Sequence, residues 1–147
     1  NIPVVSLRLF ANYGPRSLDN TKSANTYSPV IGIFLQQNIN NEPLTITGDG
    51  SQSRDFINVK DTSRIFYEIA IDDSIKNEIY NVCSGRRITI QELADLISGD
   101  QTYIPRTYGE VEHIHGDNTK LKSLGIEPKI SLEEGIAELR SYLEGKK

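Results

Sequence analysis

Apolar and polar positions alternate along this chain with two periods, one suited to strands and one to helices. Val4-Val5-Ser6-Leu7-Arg8-Leu9-Phe10 is mainly apolar and β-prone. It lies between Ile2-Pro3 and Tyr13-Gly14-Pro15, which predicts a buried strand of a parallel sheet. The polar stretch from Ser17 to Tyr27 predicts a loop. Ser28-Pro29 then opens a helix, with Ser as N-cap and Pro at the first helical position. Val30, Ile31, Phe34 and Leu35 keep helical spacing up to the Asn38-Ile39-Asn40-Asn41 cluster. Pro43 to Thr47 alternates as a strand and Gly48-Asp49-Gly50 turns it. Phe56 to Val59 alternates again, and Asp61 is the expected cap of a helix with Ile65, Phe66, Ile69 and Ala70 on one face.

Glu78 to Val82 predicts a further strand, ended by Ser84-Gly85. Thr89 caps the next helix with Glu92 as its capping-box partner, and Leu93, Leu96 and Ile97 form the inward face. Tyr103 to Ile114 reads as loop plus short strand. Asp117 is the expected cap of a short helix carrying Leu121 and Leu124. Ser131 and Glu134 form a second capping box, before a helix with Ile136, Leu139 and Leu143 facing inward. Alternation of strands and helices makes the class α/β or α+β.

A length of 147 residues argues for one domain, large enough to bury a core without disulfides or a structural metal. One Cys excludes an internal disulfide framework and a Cys-rich zinc site, and fits a reducing, cytoplasmic setting. No apolar run approaches the roughly 20 residues of a membrane span. A net charge of -4 argues against general affinity for nucleic acid, while leaving room for a local basic site. The chain opens Asn1-Ile2-Pro3 and contains no Met, so it is read as part of a longer polypeptide lacking an N-terminal piece.

Chemistry is sparse. His113 and His115, at i and i+2, fall on one face of an extended segment, but no third ligand is placed beside them. Cys83 at a strand end reads as a buried small hydrophobe. Gly48-Asp49-Gly50 is too short for a phosphate loop and reads as a turn. The informative stretch is Pro43 to Asp61: strand, glycine turn, one Arg, second strand, helix cap. Arg54 would stand at the mouth of a strand, where a guanidinium can take two phosphate oxygens. A surface ion pair with Asp49 or Asp55 is an equal physical alternative.

Leu7-Arg8-Leu9-Phe10-Ala11-Asn12-Tyr13-Gly14-Pro15-Arg16 resembles the strand and turn that follow the catalytic helix in extended short-chain dehydrogenases/reductases. Gly48-Asp49-Gly50-Ser51-Gln52-Ser53-Arg54-Asp55-Phe56-Ile57-Asn58-Val59-Lys60-Asp61 resembles the hallmark of their nucleotide-sugar branch. Tyr80 to Gly85, Thr89 to Ala94, Gly109-Glu110-Val111, Asp117 to Lys120, Leu124 to Pro128 and Leu132 to Gly135 are similar to later blocks, in the family's order and spacing. The chain is similar to the C-terminal half of NAD-dependent epimerase/dehydratases, closest in texture to UDP-glucose 4-epimerases.

That resemblance implies an α/β fold made of a late Rossmann strand plus the small mixed α/β substrate-binding lobe. Residues 1–147 would form one incomplete unit, with 1–17 the late strand and turn and 18–147 mainly the lobe. It implies a nucleotide-sugar substrate, most readily a UDP-sugar, with NAD expected only for the full-length enzyme. The dinucleotide turn and the Tyr-x-x-x-Lys pair would precede Asn1, leaving no catalytic residue in this chain. Partners would be the missing N-terminal half and, through it, a second copy. The same resemblance implies that Arg54 holds the diphosphate, that the backbone around Thr47 meets the base, that Arg106 is a second phosphate ligand and that Glu110 accepts from the ribose. Asn12 would reach the substrate, although the family's Asn stands one position earlier, where this chain has Ala11. A one-residue slip on a strand reverses the side-chain direction. The chain also has one residue more than the family between Arg106 and Gly109. A dehydratase or reductase of the same superfamily, or a nucleotide-sugar binding module without catalysis, is the rival reading.

Overall fold

The computed structural model describes residues 2–15, 30–106 and 108–145. The expected Ser28-Pro29 helix start and the Ser17 to Tyr27 loop lie outside the described residues. The chain runs β1 (Ser6–Leu9), β2 (Ala11–Tyr13), α1 (Val30–Ile39), β3 (Leu44–Thr47), β4 (Ser53–Asn58), α2 (Val59–Ala70), β5 (Ile79–Val82), β6 (Arg87–Thr89), α3 (Ile90–Ile97), β7 (Gln101–Ile104), α4 (Thr119–Lys122) and α5 (Leu132–Glu144).

The first strand is not the single buried strand its apolar run predicts. It breaks at Phe10: β1 pairs in parallel with β5 and β2 pairs in parallel with β4. β1 itself is largely exposed. β4 pairs on its other side with β6, antiparallel, Arg54 opposite Ile88. β3 pairs in parallel with β7, Thr47 opposite Ile104.

β4 divides two cores, because alternate residues of a strand face opposite sides. Phe56 joins a larger core with Ile31, Phe34 and Leu35 of α1, Leu44 and Ile46 of β3, Ile88, Leu93 and Ile97 around α3, and Ile136 and Leu139 of α5. Ile57 joins a smaller core with Ile65 and Ile69 of α2, Tyr80 and Val82 of β5, Leu121 and Ile126. Each fully buried large aliphatic or aromatic side chain contributes about 1.5–3 kcal/mol.

Both capping boxes form as their spacing predicts: Thr89 with Glu92 at α3, and Ser131 with Glu134 at α5. Asp61, expected as the cap of α2, is not one. Asn58 caps that helix, accepting from the Lys60 amide. Asp61 lies buried one turn further on, where it pairs with Arg64 and accepts from the Lys129 and Ile130 amides. Asp117 does accept from the Thr119 amide at 2.8 Å, but from one position before the residue that flanks α4. Phe66, Ala70 and Leu96, expected inward, are exposed.

Candidate functional site

The site grows from the end of β3. Thr47 closes the strand and Gly48-Asp49-Gly50 turns the chain back toward β4. Asp49 Oδ1 accepts from the Ser51 amide at 3.0 Å and its hydroxyl at 2.6 Å, and the hydroxyl bond leads in holding the Asp49 carboxyl below its ordinary value. Gln52, fully buried, donates its amide to both the carbonyl and the hydroxyl of Thr47 at 2.9 Å. The turn is thereby closed on itself, and the Ile90 and Gln91 amides of α3 hold its rim through Gln52 and Gly50 carbonyls.

Arg54 follows as the second residue of β4. Its Nη1 donates to the Ser53 carbonyl at 2.8 Å and the Glu112 carbonyl at 3.3 Å, and its Nη2 faces Glu110 Oε1 at 3.5 Å. Neither Asp49 nor Asp55 is its partner, so the simple surface ion pair is replaced by a contact across 56 residues of sequence. Asp55 points to the opposite side of the strand, where it is fully buried. Pairing of β7 with β3 carries Arg106 to the turn. Its stem lies 3.7–3.8 Å from the position a Cβ on Gly48 would occupy, and its Nη1 pairs with Glu112 Oε1 at 3.0 Å.

Arg54, Glu110, Arg106 and the Thr47 turn are therefore brought together. Glu112 joins them through both its carbonyl and its carboxylate, which the sequence reading missed. Its one signal was its place two residues beyond Glu110 on an extended segment. That segment is tied to β4 by the Ser53 amide donating to Glu112 O at 2.8 Å and the Ile114 amide donating to Ser53 O at 3.0 Å. Glu110 Oε2 is buried and has no hydrogen-bond partner among the described residues. A buried carboxylate oxygen left unpaired is costly, and a ligand hydroxyl in that place would satisfy it.

Asn12 is not part of this group. Its register partner on β4 is Ile57, which puts its side chain on the smaller-core face, opposite Arg54. There it accepts from Thr62 Oγ1 at 2.5 Å and donates to the Phe10 carbonyl at 2.9 Å. Ala11, opposite Phe56, takes the other face. The two histidines part as well: His113 bonds Ser53 Oγ at 3.0 Å and His115 faces the Gly85 carbonyl at 3.2 Å. Cys83 is buried, and burial pushes its thiol up to about 12, so it stays neutral at ordinary pH.

These residues do not make a dinucleotide cradle. Such a cradle leads from a strand through glycines into a helix whose free amides face the pyrophosphate. Here the glycine turn joins two strands, with the Asp49 carboxylate on it. What the arrangement offers is two guanidinium groups and an unsatisfied carboxylate oxygen, a set suited to a diphosphate carrying a hydroxylated sugar.

Residues 1–83 match the family described as NAD dependent epimerase/dehydratase. A putative UDP-glucose 4-epimerase of Methanocaldococcus jannaschii is 36% identical over 121 residues, 78% of this chain and 39% of that protein. A UDP-N-acetyl-α-D-glucosaminuronate decarboxylase of Bacillus cytotoxicus is 31% identical over 150 residues, 93% of this chain and 45% of that one. The crystal structure of a UDP-glucose 4-epimerase with UDP-glucose from Thermotoga maritima superposes with a TM-score of 0.87 at 31% identity, covering 99% of this chain and 47% of that chain. The chain thus spans less than half the length of these relatives.

Proposed function

The chain belongs to the NAD dependent epimerase/dehydratase family, and on that footing we propose that it is the nucleotide-sugar-binding part of an NAD-dependent nucleotide-sugar epimerase, with a UDP-sugar as its ligand. Arg54 takes the diphosphate, Arg106 supports it from across the Thr47 turn, and Glu110 accepts from the ribose. The Thr47 backbone borders the base. Asn12 holds α2 rather than substrate. The relatives named above include both an epimerase and a decarboxylase acting on UDP-sugars, so the shared part of the reading is the ligand. The cofactor and the groups that move protons and hydride belong to the part of the family fold that this chain does not span. This chain alone is accordingly expected to bind UDP without turning over UDP-glucose.

The observation that carries the reading is the joining of Arg54 to Glu110 beside Arg106, with one carboxylate oxygen of Glu110 buried and unpaired. Its test is calorimetric titration of UDP. A charge-assisted contact contributes about 1.5–3 kcal/mol, so Arg54→Ala is expected to weaken UDP by about ten- to a hundred-fold. Arg54→Lys recovers part of that, since an ammonium lacks the two-pronged contact. Unchanged affinity in Arg54→Ala returns Arg54 to a surface ion-pair role.

A further inference from the structure

Asp55 is the neighbour of Arg54 and points the other way. It is a fully buried carboxylate, and among the described residues no Lys or Arg pairs with it. Oδ1 accepts from the Ser84 amide and hydroxyl, both at 2.7 Å. Oδ2 accepts from the Gly85 amide at 3.0 Å and the Gly116 amide at 3.2 Å. All four donors come from two segments distant in sequence: the loop after β5 and the extended run that carries Glu110 and Glu112.

Both segments are shaped for this carboxylate. Gly85 has φ of 76°, a left-handed conformation in which glycine is unstrained, and a Cβ there would stand 3.1 Å from the Asn118 side-chain amide. Gly116 brings its backbone so close that a Cβ there would stand 2.4 Å from Cys83 Sγ. A side chain at either position would open the cradle. Burying a carboxylate beside a site for an anionic ligand is costly, and an apolar residue would fill the space more cheaply. What the carboxylate adds is a fixed distance between β4 and the run from Glu110 to Gly116. That run is held at one end by Ser53 and at the other by Asp55, the two residues flanking Arg54.

We propose that Asp55 is a positioning residue for the anion site: by tying Gly116 and the Ser84-Gly85 turn to β4, it sets the place of Glu110 and Glu112 against Arg54. The proposal rests on Arg54 being the diphosphate ligand. Asp55→Asn keeps the shape, but its amide nitrogen cannot accept from Gly85 and Gly116. UDP affinity is expected to fall about ten-fold in Asp55→Asn, a size common for residues coupled in one hydrogen-bond network. In an Arg54→Lys background the same change is expected to cost less than about two-fold, because the fork it aims is already gone.

Titration of UDP into wild type, both single variants and the double variant reads this coupling. An equal loss in both backgrounds means general softening and overturns the proposal. Unchanged affinity in Asp55→Asn, with Arg54→Lys weakened, overturns the positioning role and leaves the ligand assignment standing. Unchanged affinity in Arg54→Lys and Arg54→Ala removes the ligand assignment, and the proposal with it. Ser84→Ala, which deletes one donor and leaves the carboxylate, serves if Asp55→Asn does not fold. It is expected to weaken UDP about two- to three-fold, again only where Arg54 is present, and equal affinities overturn the proposal.

Discussion

The two cores flanking β4 are built differently. The larger is closed by elements of this chain: α1, α3 and α5 pack on one another and over β3, β4 and β6, and Ile31, Leu35, Leu44, Ile46 and Leu93 are wholly buried. The smaller is closed on one side only. α2, α4 and β5 seal Ile65, Val82 and Leu121, whereas Leu9 remains 48% exposed and Phe66 43%. Nearby, Val5, Leu7, Phe66 and Ile69, together with Asp72, Asp73 and Lys76, line an open groove of about 410 Å³. One half of the chain thus satisfies its own hydrophobic pattern, and the other presents a pattern that the described residues leave partly uncovered. The candidate site sits on the closed half, where the scaffold is rigid enough to hold charged groups in register.

Substitutions that separate the halves test this contrast. Phe34→Ala, in the closed core, is expected to cost about 3–5 kcal/mol by chemical denaturation, and Phe66→Ala on the open face less than about 1 kcal/mol. Similar losses at the two positions would break the comparison. The next effect in size is alkaline. Tyr13 lies in the closed core, and burial leads in raising its hydroxyl from 10.0 to about 12. The folded state therefore keeps a proton that the unfolded chain releases. Its contribution is complete below pH 10 and is lost as pH rises through 12, about 2–3 kcal/mol in all. Melting curves from pH 8 to 12 are expected to show that limb, reduced in Tyr13→Phe; an identical limb in the variant would move the titration elsewhere. The smallest effect on stability belongs to the open face. Leu9→Lys is expected to change folding by no more than about 0.5 kcal/mol, while abolishing self-association of the purified chain in sedimentation velocity. A wild-type chain that sediments as a monomer at all concentrations would show that the open face does not associate.

Local chemistry was legible in the sequence and distant chemistry was not. The capping boxes of α3 and α5 need only a hydroxyl and a carboxylate three residues apart, and both formed. Asp61 looked like a cap for the same local reason, but its partners Lys129 and Ile130 lie 68 and 69 residues away, and no spacing rule reaches them. β6 and β7 were missed as strands because their neighbours decide them: Arg87–Thr89 extends along the start of β4 and Gln101–Ile104 along β3. Arg54 stood out by its place after a glycine turn, and Glu110 and Arg106 came from resemblance. Glu112, Gln52 and Asp55 act through carbonyls, a turn and backbone amides, which leave no mark on composition or period. Asn12, expected to reach the substrate, lies on the face opposite Arg54, because the slip of one position from the family's Asn reverses its direction.

A strand that serves two cores has no silent side. Along β4, Arg54 and Phe56 look one way and Asp55 and Ile57 the other. Gain or loss of a single residue there would exchange the guanidinium with the carboxylate and Phe56 with Ile57 in one step. Length variation among homologues should therefore be excluded from Ser53–Asn58. In genetic terms β4 behaves as a reading frame for the fold: substitutions are judged one by one, but a shift garbles both halves together.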